Sequence, residues 1–120
     1  MLESVDVIRR LMAEDMSVLE AALAQGENVI LFGASETPPE SDRQLGKTIF
    51  EETLADLAAK ICSDKRIISI LERDRELEEV TLITTILDIV LTSVGGVPVL
   101  VLTAMIVKYG IRRLCPRPAQ

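Results

Sequence analysis

An apolar run of 28 residues constrains this chain more than any other feature: residues 80–107, VTLITTILDIVLTSVGGVPVLVLTAMIV. Asp88 is its only charged residue, and Gly95-Gly96-Val97-Pro98 interrupts it near the middle. Glycine commonly follows the last turn of a helix, and proline suits the first turn of the next. The run therefore predicts a hairpin of two helices, over about 77–94 and 98–114, instead of one continuous rod.

The remainder of the chain also shows helical spacing of apolar residues. Val5, Ile8 and Met12 recur at three- and four-residue steps. The same spacing recurs further along the chain, at Phe50, Leu54, Leu57 and Ile61. Ser63 is predicted to be an N-cap, whose hydroxyl would accept a backbone N–H of the following turn. Three further helices are therefore predicted, over residues 3–25, over 45–62 and from about Asp64.

The connector between the first two predicted helices, residues 26–44, contains two features. The apolar segment 28–32 is interpreted as a clip docked on the helices, because a lone strand would have no partner. Residues 37–42 are interpreted as a solvent loop, because the paired prolines break regular structure.

Together these patterns predict one all-α domain over residues 1–120, with four to five helices and the C-terminal apolar hairpin broken at Gly95-Gly96-Val97-Pro98. Its predicted parts are acidic amphipathic helices with a proline-containing loop over 1–76, the hairpin over 77–114, and a tail over 115–120.

The composition excludes some classes of function. The net charge is −6 at pH 7 and only 2% of residues are aromatic, whereas nucleic-acid binding needs clustered cations and stacking rings. The chain contains no histidine, so ordinary zinc sites and histidine base catalysis are not expected. We predict no enzyme activity, no cofactor and no metal.

Cys62 and Cys115 are the only cysteines. The N-terminus MLESVDVIRR is charged from its start and has no signal-peptide pattern. We therefore expect a cytoplasmic protein in which both cysteines are reduced thiols and do not form a disulfide.

The hairpin must be hidden from water, either in protein or in lipid. A membrane location is favoured by the uncharged run 89–107 and by the cations that follow it. The central glycine–proline break, the shortness of each half and the export of an acidic N-terminal part argue against it. In the protein alternative, one chain has little material to cover both helices, so a second copy is expected to complete the cover.

Two sets of candidate binding residues follow from this interpretation. The predicted self-association residues are the large aliphatic side chains of the hairpin: Ile86, Leu87, Val90, Leu91, Val99, Leu100, Val101 and Ile106. The predicted contacts to an anion or to lipid headgroups are the cations near the C-terminal end, Lys108, Arg112 and Arg113, although cations at a helix C-terminus are also favoured by the helix dipole.

Two other motifs are weaker. Thr84, Asp88 and Thr92 are spaced by four and are interpreted as a polar strip that faces solvent, although Asp88 could pair with Lys108 or Arg112. Gly46-Lys47-Thr48 matches only the end of a phosphate-binding loop, without the upstream glycine or a preceding strand. An exposed lysine at a helix start is the favoured interpretation.

The sequence thus predicts an oligomerising interaction module without enzyme activity, a small adaptor or accessory subunit. Its expected partners are a second copy of itself and a larger protein, and no nucleic acid. The alternative is a membrane-inserting effector or anchor whose hairpin enters a bilayer and forms a pore. The sequence resembles no family closely enough to assign residue roles.

Overall fold

Seven α-helices make up most of the chain that the computed structural model describes, residues 2–25, 40–72, 79–94 and 98–115. These ranges contain no β-strand, which confirms the predicted all-α class. There are more helices than the four to five expected. In chain order they are α1 (Leu2–Met12), α2 (Met16–Gln25), α3 (Glu40–Ser63), α4 (Lys65–Glu72), α5 (Glu79–Ser93), α6 (Val99–Tyr109) and α7 (Ile111–Leu114).

Helix α6 is the centre of the fold. Every residue from Val101 to Val107 is buried, and α1, α2, α3 and α5 all contact this helix. Its buried Thr103 hydroxyl donates to the carbonyl of Val99 at 2.8 Å, so no polar group is left unsatisfied there. The chain's own helices therefore cover α6, a role that we had expected a second copy to share.

The apolar run forms two helices, α5 and α6, that pack on each other. The proposed corner residues 95–97 lie outside the described residues. The carbonyl of Pro98 accepts the N–H of Leu102 at 3.0 Å, as expected for a proline at a helix start. The second of the predicted helices does not run unbroken to 114, because Gly110 adopts a φ of +98° between α6 and α7.

The single helix predicted over 3–25 is wrong, because a turn at Ala13–Asp15 divides it into α1 and α2. The carbonyl of Asp15 accepts backbone N–H groups of the first turn of α2. Lys108 on α6 donates to the carbonyl of Glu14 and thereby ties this turn to the central helix. The turn allows α1 and α2 each to pack on α6, and the predicted apolar positions Val5 and Ile8 are buried.

The predicted connector 26–44 ends too late, since α3 already begins at Glu40 and includes Ser41 and Asp42. The proposed apolar clip at 28–32 and the prolines at 38–39 lie outside the described residues.

The predicted N-cap is displaced by one residue. Ser63 is the last residue of α3, and its hydroxyl donates backward to the carbonyl of Ala59 at 2.7 Å. Asp64 is the cap instead, because its carboxylate accepts the backbone N–H of Arg66 at 2.8 Å. The hydrogen bonds from Arg66 hold the pKa of the Asp64 carboxyl below its usual value. This cap allows α4 to start with only Asp64 between it and the end of α3.

Candidate functional site

A groove of about 580 Å³ opens on the surface between α2, α3, α6 and α7. Most of its length follows one face of α3, whose contributing residues recur at three- and four-residue steps. The residues that line it are Met16, Glu20, Lys47, Phe50, Glu51, Leu54, Ala55, Ala58, Tyr109, Arg113 and Leu114. We call this surface the α3 groove.

The floor of the α3 groove is apolar and partly open to solvent. Phe50 and Leu54 are buried beneath it, while Met16, Tyr109 and Leu114 are only half-buried. A partly exposed aliphatic and aromatic floor is the feature that helical peptides and amphiphilic ligands use for binding.

Two aromatic rings and a guanidinium form one corner of this groove. The rings of Phe50 and Tyr109 meet edge to face with centroids 6.0 Å apart. The guanidinium carbon of Arg113 lies 4.3 Å from the centroid of the Tyr109 ring, within the range of a cation–π contact. The stack holds the cation of α7 at the edge of the apolar floor.

The other end of the groove is formed where α2 crosses α3. Gly46 lies against the backbone of Glu20 so closely that a Cβ at position 46 would collide with the Glu20 carbonyl. Burial raises the pKa of the Glu20 carboxyl above its usual value, while Lys47 and Arg43 act to lower it and Glu51 to raise it further. Glu20, Lys47 and Glu51 therefore make a charged rim at this end.

A disulfide joins Cys62 to Cys115 and so links α3 to the end of α7, next to residues that line the groove. Cys62 lies in the last turn of α3, and Cys115 directly follows α7. The expectation of two reduced thiols is wrong in this structure, because the fold brings two residues 53 positions apart to a Cα–Cα distance of 5.4 Å. That distance is normal for a disulfide.

The predicted self-association residues are mostly inside the molecule. Ile86, Leu87, Val90, Val101 and Ile106 are all buried by the chain's own helices. At the surface, 56% of Leu91 is exposed, and two more residues are partly exposed. The members of the predicted set that a second molecule could reach are therefore Leu91, Val99 and Leu100.

The three predicted anion contacts, Lys108, Arg112 and Arg113, each make a contact within the molecule. Lys108 donates to the carbonyl of Glu14, and Arg112 donates to the carbonyl of Leu71 at 3.5 Å. Arg113 alone belongs to the α3 groove, through its contact with Tyr109. Two of the three cations thus connect elements of the fold.

Asp88 lies on the exposed side of α5, as the polar-strip interpretation predicts. Its carboxylate pairs with Arg66 of α4 at 3.1 Å, instead of with Lys108 or Arg112. Thr84 and Thr92 donate to carbonyls of their own helix. Of this strip, only Asp88 connects α5 to α4, through an ion pair that is open to solvent.

The partial phosphate-loop motif lies inside α3 and does not precede a helix. Gly46, Lys47 and Thr48 are all helical, and Lys47 is exposed on the groove rim. A phosphate-binding loop needs free backbone N–H groups at a helix start, which an interior helical position does not offer.

Within the described parts of the chain, no helix is long and apolar enough to cross a membrane. The same residues contain no cluster of three potential metal ligands among cysteine, aspartate and glutamate.

Comparison with known proteins gives no match to a family model, a curated protein or a solved structure.

Sequence reasoning did not find the α3 groove. A local signal existed, since Tyr109 and Arg113 are four residues apart and the α3 lining residues recur at helical spacing. The groove requires α2, α6 and α7 to meet α3, however, and those contacts are long-range.

Proposed function

We propose that this protein is an interaction module without enzyme activity, a small adaptor or accessory subunit that binds a helical segment of a partner protein in the α3 groove. The observation that carries this proposal is the partly open apolar floor bordered by charged side chains at both ends. Grooves of this kind receive the apolar face of an amphipathic helix.

The length of the groove suits a short helix. Its lining residues on α3 extend from Lys47 to Ala58, and a helix rises about 1.5 Å per residue, which gives a length of about 16 Å. A partner segment of about three helical turns would match that length. Its apolar side chains would recur at three- and four-residue steps along one face.

The charges favour one orientation of the partner helix. At the end where α2 crosses α3, the carboxylates of Glu20 and Glu51 outnumber the cation of Lys47, whereas Arg113 lies on α7, two residues before the disulfide cysteine Cys115. A helix carries partial positive charge at its N-terminus and partial negative charge at its C-terminus. We therefore expect the N-terminus of the partner helix near Glu20 and its C-terminus near Arg113.

A displayed library of amphipathic helical peptides, selected against the protein, tests this proposal. We expect the selected peptides to bind the wild-type protein and to lose at least about tenfold in affinity for Ala55→Arg. Ala55 is exposed in the groove, so an arginine there blocks the floor without entering the core.

Ala59→Arg is the matched control, because Ala59 is also exposed on α3 but does not line the groove. Both variants should melt at the wild-type temperature. Failure to select any helical peptide, or an equal loss of affinity in the two variants, would contradict the proposal.

Self-association is also proposed, but through fewer residues than the sequence indicated. Leu91 on α5 has 56% of its surface exposed, and Val99 and Leu100 at the start of α6 are partly exposed. These residues lie near the ends of the two helices that flank the proposed corner. Exposed aliphatic side chains at the adjoining ends of two helices support contact with a second copy.

A further inference from the structure

The disulfide anchors the wall of the α3 groove that α7 supplies. Leu114 and Arg113 supply this wall, and both belong to α7, a helix of four residues. One helical turn has no independent stability in water. The position of α7 therefore depends on what attaches it to the rest of the molecule.

Noncovalent contacts also attach α7 to the rest of the fold, and Leu114 packs against the core. Ile111 is buried, Arg112 donates a long hydrogen bond of 3.5 Å to the carbonyl of Leu71, and Arg113 stacks on Tyr109. Gly110 precedes α7 with a φ of +98° and meets no atom within 4 Å of its ideal Cβ position. Glycine adopts this φ at little cost, so Gly110 accommodates the change of direction between α6 and α7.

The covalent attachment comes directly after α7. Cys115 follows Leu114, and its partner Cys62 lies one helical turn after Ala58 on the other side of the groove. The disulfide thus sets the separation of two residues, Ala58 and Leu114, that face the same apolar floor.

We propose that the Cys62–Cys115 bond is a redox switch of the α3 groove: the oxidised protein has a complete groove, and reduction releases α7 and weakens binding of the helical partner. The inference rests on the proposed binding function. The predicted environment of the chain was a reducing one, in which such a bond is a control element more often than a permanent one.

The chemistry requires a dithiol reductant. One thiolate of the reductant attacks a sulfur of the Cys62–Cys115 bond and forms a mixed disulfide, while the other cysteine leaves as a thiolate and takes up a proton. The second thiol of the reductant, as its thiolate, then displaces the remaining cysteine. The protein gains two electrons and two protons as two thiols, and the reductant becomes a disulfide.

Two measurements on the full chain, before and after treatment with dithiothreitol, test the switch. The first is hydrogen exchange of the backbone amides of α7. We expect their exchange to become at least about tenfold faster on reduction, whereas the amides of α1 and α2 that exchange through local openings should change little. The second is the affinity for a helical peptide selected against the oxidised protein, which we expect to fall at least about tenfold.

A Cys62→Ala/Cys115→Ala variant is the control, since it cannot respond to the reductant and should show the weaker affinity in both buffers. If this variant does not fold, the reduced wild-type protein provides the same comparison. A thiol titration should find no free thiol before reduction and two afterwards; two free thiols in the air-oxidised protein would overturn the inference.

The outcomes separate this inference from the proposed function. Equal peptide affinity in the oxidised and reduced protein would overturn the switch and leave the binding function standing. Faster exchange in α7 without any peptide binding to the oxidised protein would remove the binding function and show that the bond controls only α7. Unchanged exchange and unchanged affinity would overturn the switch altogether.

Discussion

The Cα atom of Gly46 on α3 lies directly against the backbone carbonyl of Glu20 on α2. No side chain separates the two helices at this crossing, and they have the most extensive contact of any helix pair among the described residues. The crossing sets the position of the charged rim that Glu20, Lys47 and Glu51 form at this end of the α3 groove. A glycine at position 46 is therefore needed for packing, since only glycine permits so close an approach.

Gly46→Ala should destabilise the protein by about 3 kcal/mol, because the added methyl group would overlap the Glu20 backbone and force α2 and α3 apart. The gain in helix propensity from glycine to alanine, about 1 kcal/mol, is smaller than this cost. Urea denaturation measures the difference. Lys47→Ala is the control, because Lys47 is adjacent but exposed, and an equal stability loss in both variants would argue against the close crossing.

The same glycine shows what the sequence could reveal and what it could not. In the sequence, Gly46 and Lys47 match part of a phosphate-loop motif. In the structure, a glycine is needed at position 46 because the Glu20 carbonyl, 26 positions away in the chain, leaves no room for a side chain. Only the tertiary fold brings that carbonyl near. Helical spacing, a local property, correctly predicted the buried faces at Ile8 and Leu57.

The sequence also did not show which part of the molecule covers the apolar run. Periodicity indicated that residues 80–107 must be buried, but not whether protein, lipid or a second copy would bury them. The division of the first predicted helix at Ala13–Asp15 allows α1 and α2 both to reach α6. Likewise the pairing of Cys62 with Cys115 depends on how α7 returns to α3, which no local pattern encodes.

Asp64→Ala should lower the free energy of unfolding by about 1 kcal/mol at pH 7, because it removes the N-cap of α4 and one carboxylate that pairs with Arg66. Asp64→Asn keeps a capping oxygen and should lose about half as much free energy of unfolding as Asp64→Ala.

The pKa of the folded Asp64 carboxyl lies below its unfolded value. Its ionic contribution is therefore complete above the unfolded pKa of about 3.9 and is lost as the pH falls through the folded pKa.

Chemical denaturation of both Asp64 variants from pH 7 down to pH 3 provides the measurement. The difference between wild type and Asp64→Asn should shrink as the acid limit is approached. A difference that stays constant over this range would show that the pair with Arg66 contributes nothing to stability.

Reduction of the Cys62–Cys115 disulfide should lower the free energy of unfolding by about 4 kcal/mol, the loop-closure entropy expected when a link across 53 residues is removed. Thermal melting with and without dithiothreitol measures this loss, and the double alanine variant should melt near the reduced protein in either buffer. Identical melting temperatures for oxidised and reduced wild type would mean that the unfolded chain gains no freedom when the bond is cut.

Leu87→Arg should destabilise the protein strongly and Leu91→Arg should hardly change its stability, although the two residues are one turn apart on α5. Leu87 is buried with 3% of its surface exposed, so an arginine there would be an unpaired charge in the core and should cost more than about 3 kcal/mol. Leu91 is 56% exposed, so Leu91→Arg should stay folded with a near wild-type melting temperature.

If the protein self-associates through Leu91, sedimentation equilibrium should show an oligomer for wild type and a monomer for Leu91→Arg. A wild-type monomer at micromolar concentration, or an oligomer that Leu91→Arg leaves intact, would exclude this surface as the contact between copies.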